Sequence, residues 1–263
     1  MGNKPSKLLA QTRSLATFSR AWNLLRSFRF EQSSPDVFYG ALAQDTASLV
    51  DALCRDCGLS LSGARVLDVG GGPGYFGAEF EARGAHYVGV EPDAGEMSAA
   101  GITLANSVRG DGTALPFADN SFDVVYSSNV AEHIPDPWKM AKEMLRVTRP
   151  SGLMIFSYTA WLGPFGGHET GLWQHYVGGE FARRRYEKVH GHPPKNIWGE
   201  SLFALSVREG LEYARDKELV AAFPRYHPAW AWAIVRLPVL REFLTSNLVL
   251  VMKKPVPHLR NGL

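Results

Sequence analysis

Two cysteines in 263 residues cannot build a disulfide framework, and Cys54 and Cys57 cannot by themselves supply the four ligands of a structural zinc site. Their C-x-x-C spacing falls in a segment, Gly40 to Cys57, that reads as an amphipathic helix. They are expected as buried thiols in a reducing compartment. A long apolar run is missing as well. The stretch containing Trp230, Trp232, Leu237 and Leu240 is broken by Arg236, Pro238, Arg241 and Glu242, well short of the roughly twenty clean residues that a membrane span requires. No segment reads as a secretory signal. Charge of one sign is scarce: 28 Lys and Arg against 26 Asp and Glu leave a net charge of +2, which sets up no field to recruit a polyanion. With neither an arginine-rich recognition helix nor zinc-finger spacing, nucleic acid is not expected as a substrate, and a cytoplasmic location is.

Glycine, in contrast, is concentrated where it carries information. Residues 66 to 77 read Val-Leu-Asp-Val-Gly-Gly-Gly-Pro-Gly-Tyr-Phe-Gly: an apolar strand stub with a carboxylate, Asp68, then a glycine-rich break, then a helical alternation. Such a turn lets backbone amides approach a ligand that any Cβ would hold off. Gly72, Gly74 and Gly77 satisfy G-x-G-x-x-G, the dinucleotide fingerprint, so a nicotinamide oxidoreductase is one reading. Asp68 argues against it, because a pyrophosphate on the turn would meet an anion two residues before the first glycine. S-adenosylmethionine carries a sulfonium and an ammonium and no phosphate, so that carboxylate has cationic groups to meet. Further acids follow in order. Tyr87 to Pro92 is predicted as the second strand, placing Glu91 roughly twenty residues past the loop, where it can accept from ribose hydroxyls. Asp111, within Arg109 to Phe117, can accept from an adenine amino group. Ser121 to Asn129 is predicted as a fourth strand delivering Asn129, Glu132 and His133 to the carboxyl edge, where open α/β sheets bind ligands.

The glycine loop with its preceding acid, the acid after strand two, the Gly-Asp-Gly-Thr-Ala-Leu-Pro-Phe segment, the Asn-Val-Ala-Glu-His-Ile-Pro-Asp-Pro run and the Arg-Pro-Ser-Gly turn at 149 to 152 occur in sequence. Together they resemble the successive motifs of class I S-adenosylmethionine-dependent methyltransferases, over about residues 62 to 160. The resemblance implies an α/β fold with a doubly wound, mostly parallel, seven-stranded Rossmann-like sheet. It also implies that Asp68, Gly70, Gly72 and Gly74 surround the methionine part of the cofactor, that Glu91 takes the ribose, Asp111 and Gly112 the adenine, and Asn129 the cofactor's edge. Within the family the chain looks like the small-molecule branch that includes the quinone-biosynthesis enzymes. The segments around Trp161 to Gly179 and His190 to Phe203 look most like uncharacterised actinobacterial members.

The remaining length is expected as elaboration. Residues 61–263 form the methyltransferase domain, 1–60 a helical extension covering the cofactor cleft, and 160–205 a lid inserted after strand five, Leu153 to Thr159. The extension holds Lys4, Lys7, Arg13, Arg20, Arg26 and Arg29 with no acid before Glu31, and Leu15, Phe18, Trp22 and Leu25 share one helical face. That composition also suits a membrane-surface helix or a transit peptide, and Met1 to Ser6 matches an N-acylation pattern, so peripheral membrane contact is a further expectation. After the lid, Ser206-Val-Arg-Glu209 has the form of a capping box, and Glu218 to Tyr226 and Asn247 to Lys254 are predicted as the closing strands.

Four of the eight histidines, His168, His175, His190 and His192, fall in the lid, but their spacing matches no compact ligand motif and no metal site is predicted. Trp161, Phe165, Trp173, Tyr176 and Trp198 suit either stacking on an acceptor ring or a small core of the lid's own. An aliphatic hydroxyl acceptor needs its proton removed, a task for histidine near its ordinary pKa. His133, directly after the strand-four edge, and His168 on the lid are the candidate bases; Trp161, His168, His175 and Tyr176 are the candidate acceptor contacts. Glu132 reads as a solvated acid at the start of a helix spanning Pro135 to Val147. The expected activity is O-methylation of a small hydroxylated metabolite, such as a glycan, lipid or quinone precursor. A non-catalytic cofactor-binding partner protein would share the loop and lack an acceptor pocket.

Overall fold

Alternation along the central strands sorts the chain into two faces. Leu67, Val69, Val125, Met154, Phe156, Leu248 and Leu250 are buried on one side; Val66, Val124, Tyr126, Leu153, Ile155, Val249 and Val251 are buried on the other. Both faces of the sheet are therefore covered, as expected where crossover helices join parallel strands. The computed structural model describes residues 9–27, 34–93, 95, 97 and 106–256. The acylation pattern at the amino end, Lys4, Lys7, Arg29 and Glu31 lie outside the described residues.

The strands are β1 (Arg65–Val69), β2 (His86–Glu91), β3 (Ser107–Arg109), β4 (Phe122–Ser128), β5 (Thr148–Thr159), β6 (Leu219–Pro224) and β7 (Asn247–Lys253), in the order β3-β2-β1-β4-β5-β7-β6. The strands β1 to β5 pair in parallel, and β7 runs antiparallel to both β5 and β6. The mostly parallel, seven-stranded sheet implied by the motif order is thus present. Its strand order reverses between β1 and β4, and in open α/β sheets the crevice at such a reversal is where ligands bind.

The helices are α1 (Ala10–Leu15), α2 (Phe18–Ser27), α3 (Pro35–Asp56), α4 (Tyr75–Glu81), α5 (Pro137–Val147), α6 (Gln174–Val177), α7 (Gly179–His190), α8 (Val207–Tyr213) and α9 (Leu240–Leu244). Leu49, Val50 and Leu53 of α3 pack with Phe80 of α4 against one face of the sheet, and Met140, Met144 and Val147 of α5 against the other. The side chain of Asp136 accepts from the Lys139 amide at 3.0 Å and caps α5. The Ser206–Glu209 capping box opens α8 as expected. Cys54 is buried and its thiol is pushed up to about 12 by that burial, so it stays protonated and inert. No helix among the described residues is long and apolar enough to cross a membrane.

The amino-terminal extension is helical and begins with α1 and α2. Its helix breaks at Ala16, and the apolar stripe faces outward, with Phe18 68% and Trp22 50% exposed. The residue that anchors α2 is Arg20. It makes two hydrogen bonds to Asp45 of α3, at 2.5 and 2.9 Å, and donates to the Arg225 carbonyl at 3.1 Å. Arg225, only 2% exposed, in turn donates to Thr46 at 2.6 Å, Ser128 at 2.5 Å and Asp45 at 3.4 Å. The two-armed guanidinium pair thus ties α2 to α3, while Phe18, Trp22 and Leu25 stay largely exposed. Asp45→Ala would strand both arginines, and urea unfolding should show a loss of about 3 kcal/mol, against less than 1 kcal/mol for a typical exposed ion pair. A loss in the exposed-pair range would show that the network carries no such load.

Candidate active site

The glycine loop rests on a buried carboxylate. Asp68 is 2% exposed, and its Oδ2 accepts from the Tyr87 phenol of β2 at 2.7 Å and from the Tyr126 phenol of β4 at 2.5 Å. Burial outweighs these two hydrogen bonds and pushes the carboxyl up to about 7. Expected as an anion facing cofactor cations, Asp68 instead lies beneath the loop: a Cβ on Gly71 would stand 3.2 Å from its Oδ2. Tyr87 and Tyr126 were not singled out from sequence. Their signal was faint, a polar-tipped ring at inward strand positions, which needs a partner when buried. Gly70, with φ +83°, approaches the turn after β4 so closely that a Cβ there would fall 2.4 Å from Val130 Cγ2. Only glycine satisfies both the backbone angle and the contact.

Glu91 ends β2 at the loop's mouth, its Oε2 accepting from the Gly72 amide and its Oε1 from the Asp93 amide, each at 3.2 Å. Asp111 is exposed and closes a turn on Thr113, accepting from its amide at 2.8 Å and its hydroxyl at 2.9 Å. Next to it Gly112 is buried, where a Cβ would meet Met140 and Val69 at 3.0 Å. Asn129 has φ +57°; its amide donates to the Ser157 carbonyl at 3.0 Å and its side-chain oxygen accepts from Asn247 of β7. A non-glycine residue held in the left-handed region by three strands is a strained feature of the kind that collects at functional sites.

Beyond Asn129, a 3₁₀ turn at Ala131–His133 sets the far side of the crevice. Glu132, expected as a solvated acid, is 1% exposed, because the lid's returning segment closes over it: the Phe203 amide donates to the Glu132 carbonyl at 2.8 Å. Glu132 Oε1 accepts from the Thr159 amide at 3.1 Å. His133 places Nδ1 2.7 Å from the Ser201 carbonyl. A carbonyl only accepts, so Nδ1 carries the proton and Nε2 the lone pair. The ring of His168 stands 5.1 Å from that of His133 at 67°, on a backbone with φ +49°. Burial pushes the His168 imidazole down, partly opposed by Glu132. The fold thus unites His133 and His168, the two candidate bases.

The other lid candidates pack differently. Trp161 lies 4.4 Å from the Trp198 ring and 5.5 Å from that of His175, which is buried with Nε2 3.1 Å from the Gly163 carbonyl. Tyr176 is exposed, its ring 4.1 Å from His175 and 6.2 Å from Phe243 of α9. Trp161 and His175 thus pack with Trp198 inside the lid. His190 and His192 gather around Tyr186, with ring separations of 4.1 and 5.7 Å.

Comparison with known proteins agrees with this geometry. Residues 67–156 match the family described as "Methyltransferase domain". The chain is 59% identical over 244 residues to an "Uncharacterized methyltransferase" of Mycolicibacterium gilvum, covering 90% of this chain and 95% of that protein. It is 59% identical over 247 residues to a protein of the same description from Mycobacteroides abscessus, covering 90% and 95%. Among solved structures, an S-adenosylmethionine-dependent methyltransferase from Mesorhizobium loti superposes with a TM-score of 0.52 at 17% identity, covering 79% of this chain and 97% of that one. A Haloferax volcanii methyltransferase solved in complex with its activator gives 0.52 at 17% identity, covering 90% and 96%. The chain belongs to the class I S-adenosylmethionine-dependent methyltransferases, and S-adenosylmethionine is its cofactor. The close approach at Gly70 and the carboxylate of Glu91 beside the Gly72 amide fit that cofactor.

The raised carboxyl of Asp68 has a consequence for stability. The folded chain keeps its proton up to about pH 7, whereas the unfolded chain releases it in the ordinary aspartate range. Burial of this group is therefore tolerated in acid and costs stability as pH rises from about 4 to about 7. Over that window the wild type should lose a few kcal/mol relative to Asp68→Asn, whose amide oxygen still accepts from both phenols. Urea midpoints of the two proteins measured across the window test this, and parallel curves would refute it.

Proposed function

We propose that the protein methylates a hydroxyl oxygen of a small metabolite, a glycan, lipid or quinone precursor, with Glu132, His133 and His168 at the acceptor end of the crevice. The observation that carries this reading is His133: the Ser201 carbonyl fixes its tautomer so that Nε2 is a lone-pair acceptor, next to a second imidazole and at the strand edge adjoining the glycine loop. When bound, S-adenosylmethionine supplies a methyl made electrophilic by its sulfonium. Gly70, Gly72 and Gly74 hold the loop open to it, Glu91 accepts from ribose hydroxyls, Asp111 and Gly112 frame the adenine, and Asn129 borders the site. Asp68 supports the loop from below and adds negative charge when its proton is lost. At the acceptor, His133 takes the hydroxyl proton while His168 and the lid built around Trp161, His175 and Tyr176 exclude water and orient the substrate.

The extension fits a role beside the crevice, since Asp36 of α3 accepts from the Tyr75 phenol at 2.6 Å and Tyr39 stacks on Tyr75 at 5.3 Å, directly after the glycine loop. The outward-facing Phe18, Trp22 and Leu25 support peripheral contact with a lipid surface.

Calorimetric titration with S-adenosylhomocysteine should give micromolar binding, weakened roughly 10- to 100-fold in Glu91→Ala by loss of charge-assisted hydrogen bonds. His133→Ala should keep that affinity while turnover, assayed with methyl-labelled cofactor and a panel of hydroxylated acceptors, falls by roughly 10² to 10⁴. Undiminished turnover in His133→Ala would remove this histidine from the reaction.

A further inference from the structure

Glu132 has one oxygen satisfied, by the Thr159 amide, and one that is not: Oε2 is buried with no hydrogen-bond partner. His168 is in the same condition, its Nε2 buried and without a partner. No hydrogen bond joins the two, so a carboxylate oxygen and an imidazole nitrogen have both left water with nothing gained in return. One ligand-capable atom from each of Glu132, His133 and His168 lies within 4.8 Å of the others, and among the described residues this is the one group of three such side chains so placed.

We propose that Glu132, His133 and His168 bind a divalent cation of the zinc type through two imidazoles and one carboxylate, and that this ion holds the acceptor's hydroxyl oxygen in the crevice. The donor chemistry selects the ion, since imidazole nitrogen suits zinc and its neighbours whereas magnesium prefers oxygen and retained water. Nitrogen and oxygen ligands sit about 2.1 Å from zinc, hence roughly 3.4 Å from one another in a tetrahedral site. Side chains that begin within 4.8 Å reach that spacing by small rotations. The outer partners are already in place: the Ser201 carbonyl takes the second nitrogen of His133, and the Thr159 amide holds one oxygen of Glu132. Metal ligands are oriented by such bonds. Three protein ligands leave a fourth position open, as in catalytic zinc sites. What fills that position rests on the reading above; binding of the ion does not. When a hydroxyl coordinates, its O–H bond breaks, an oxygen–metal bond forms and the proton passes to solvent; in the ion-bound site Nε2 of His133 is a ligand, and the proton uptake assigned to it above belongs to the ion-free site.

The test uses the full chain, stripped of metal with a chelator and dialysed. It is titrated with Zn²⁺ by calorimetry and with Co²⁺ by visible absorption, and each sample is also titrated with S-adenosylhomocysteine. One site per chain is expected, with Zn²⁺ affinity micromolar or tighter and cobalt ligand-field bands. Binding should weaken at least tenfold in Glu132→Gln and in His168→Asn, and stay unchanged when His190 and His192 are both replaced by alanine. Retained S-adenosylhomocysteine affinity in the variants reports an intact fold. Wild-type protein that binds S-adenosylhomocysteine yet shows no saturable Zn²⁺ or Co²⁺ site overturns the metal assignment and leaves the methyltransfer reading standing. Metal binding that neither substitution weakens overturns it too. A zinc site lost in the variants, in a wild type with no S-adenosylhomocysteine affinity, supports the assignment and counts against the cofactor reading.

Discussion

One carboxylate oxygen, Oδ2 of Asp68, receives a phenol from each neighbouring strand and so ties β2, β1 and β4 together where the sheet reverses its order. The rest of the cofactor side depends on that joint. Asp68 lies opposite Gly89 of β2 and Tyr126 of β4 in register, and because Gly89 has no side chain the Tyr87 phenol can cross it to reach the carboxyl. Above the joint, Gly71 sits against the carboxyl, Gly70 against Val130, and Glu91 against the Gly72 amide. The loop is thus preorganised from beneath and from both flanks. Less ordering is then left to be done when a ligand arrives.

The acceptor side is assembled on another principle. No single strand carries it; the turn after β4 supplies Glu132 and His133, the lid supplies His168, and residues 201 and 203 of the returning chain fix both members of the turn. The lid that does this is stabilised by its own packing of Trp161, Trp198 and His175. A scaffold that keeps the cofactor end inside the sheet and places the acceptor end under an insertion can vary one without disturbing the other.

The difference in legibility between the two ends has the same origin. Gly70, Gly72, Gly74, Glu91 and the strand pattern were readable because each signal is local: a turn needs glycine, and a strand needs alternation. The capping box at Ser206 was readable for the same reason. The surroundings of Asp68 were not, because Tyr87 and Tyr126 acquire meaning only once three strands are set in register. Glu132 looked solvated because its burial comes from Phe203 and Thr159, which only the tertiary fold brings to it. The outward direction of Phe18, Trp22 and Leu25 could not be read from the sequence, because amphipathicity says that a face is apolar and not which way it points. Arg20, paired to Asp45, decided how that helix docks.

The antiparallel strand β7 gives the molecule an order of assembly. Strands β1 to β5 pair among themselves and complete the cofactor half from contiguous chain. Asn129, by contrast, is held by Asn247, Ser157 Oγ also bonds to Asn247, and among the described residues the edge strand β6 pairs with β7 alone. A chain that emerges amino end first therefore leaves the crevice floor unfinished until β7 is inserted between β5 and β6. The closure is a non-local event of the slow kind, and until it occurs an edge of β5 stays open to other strands.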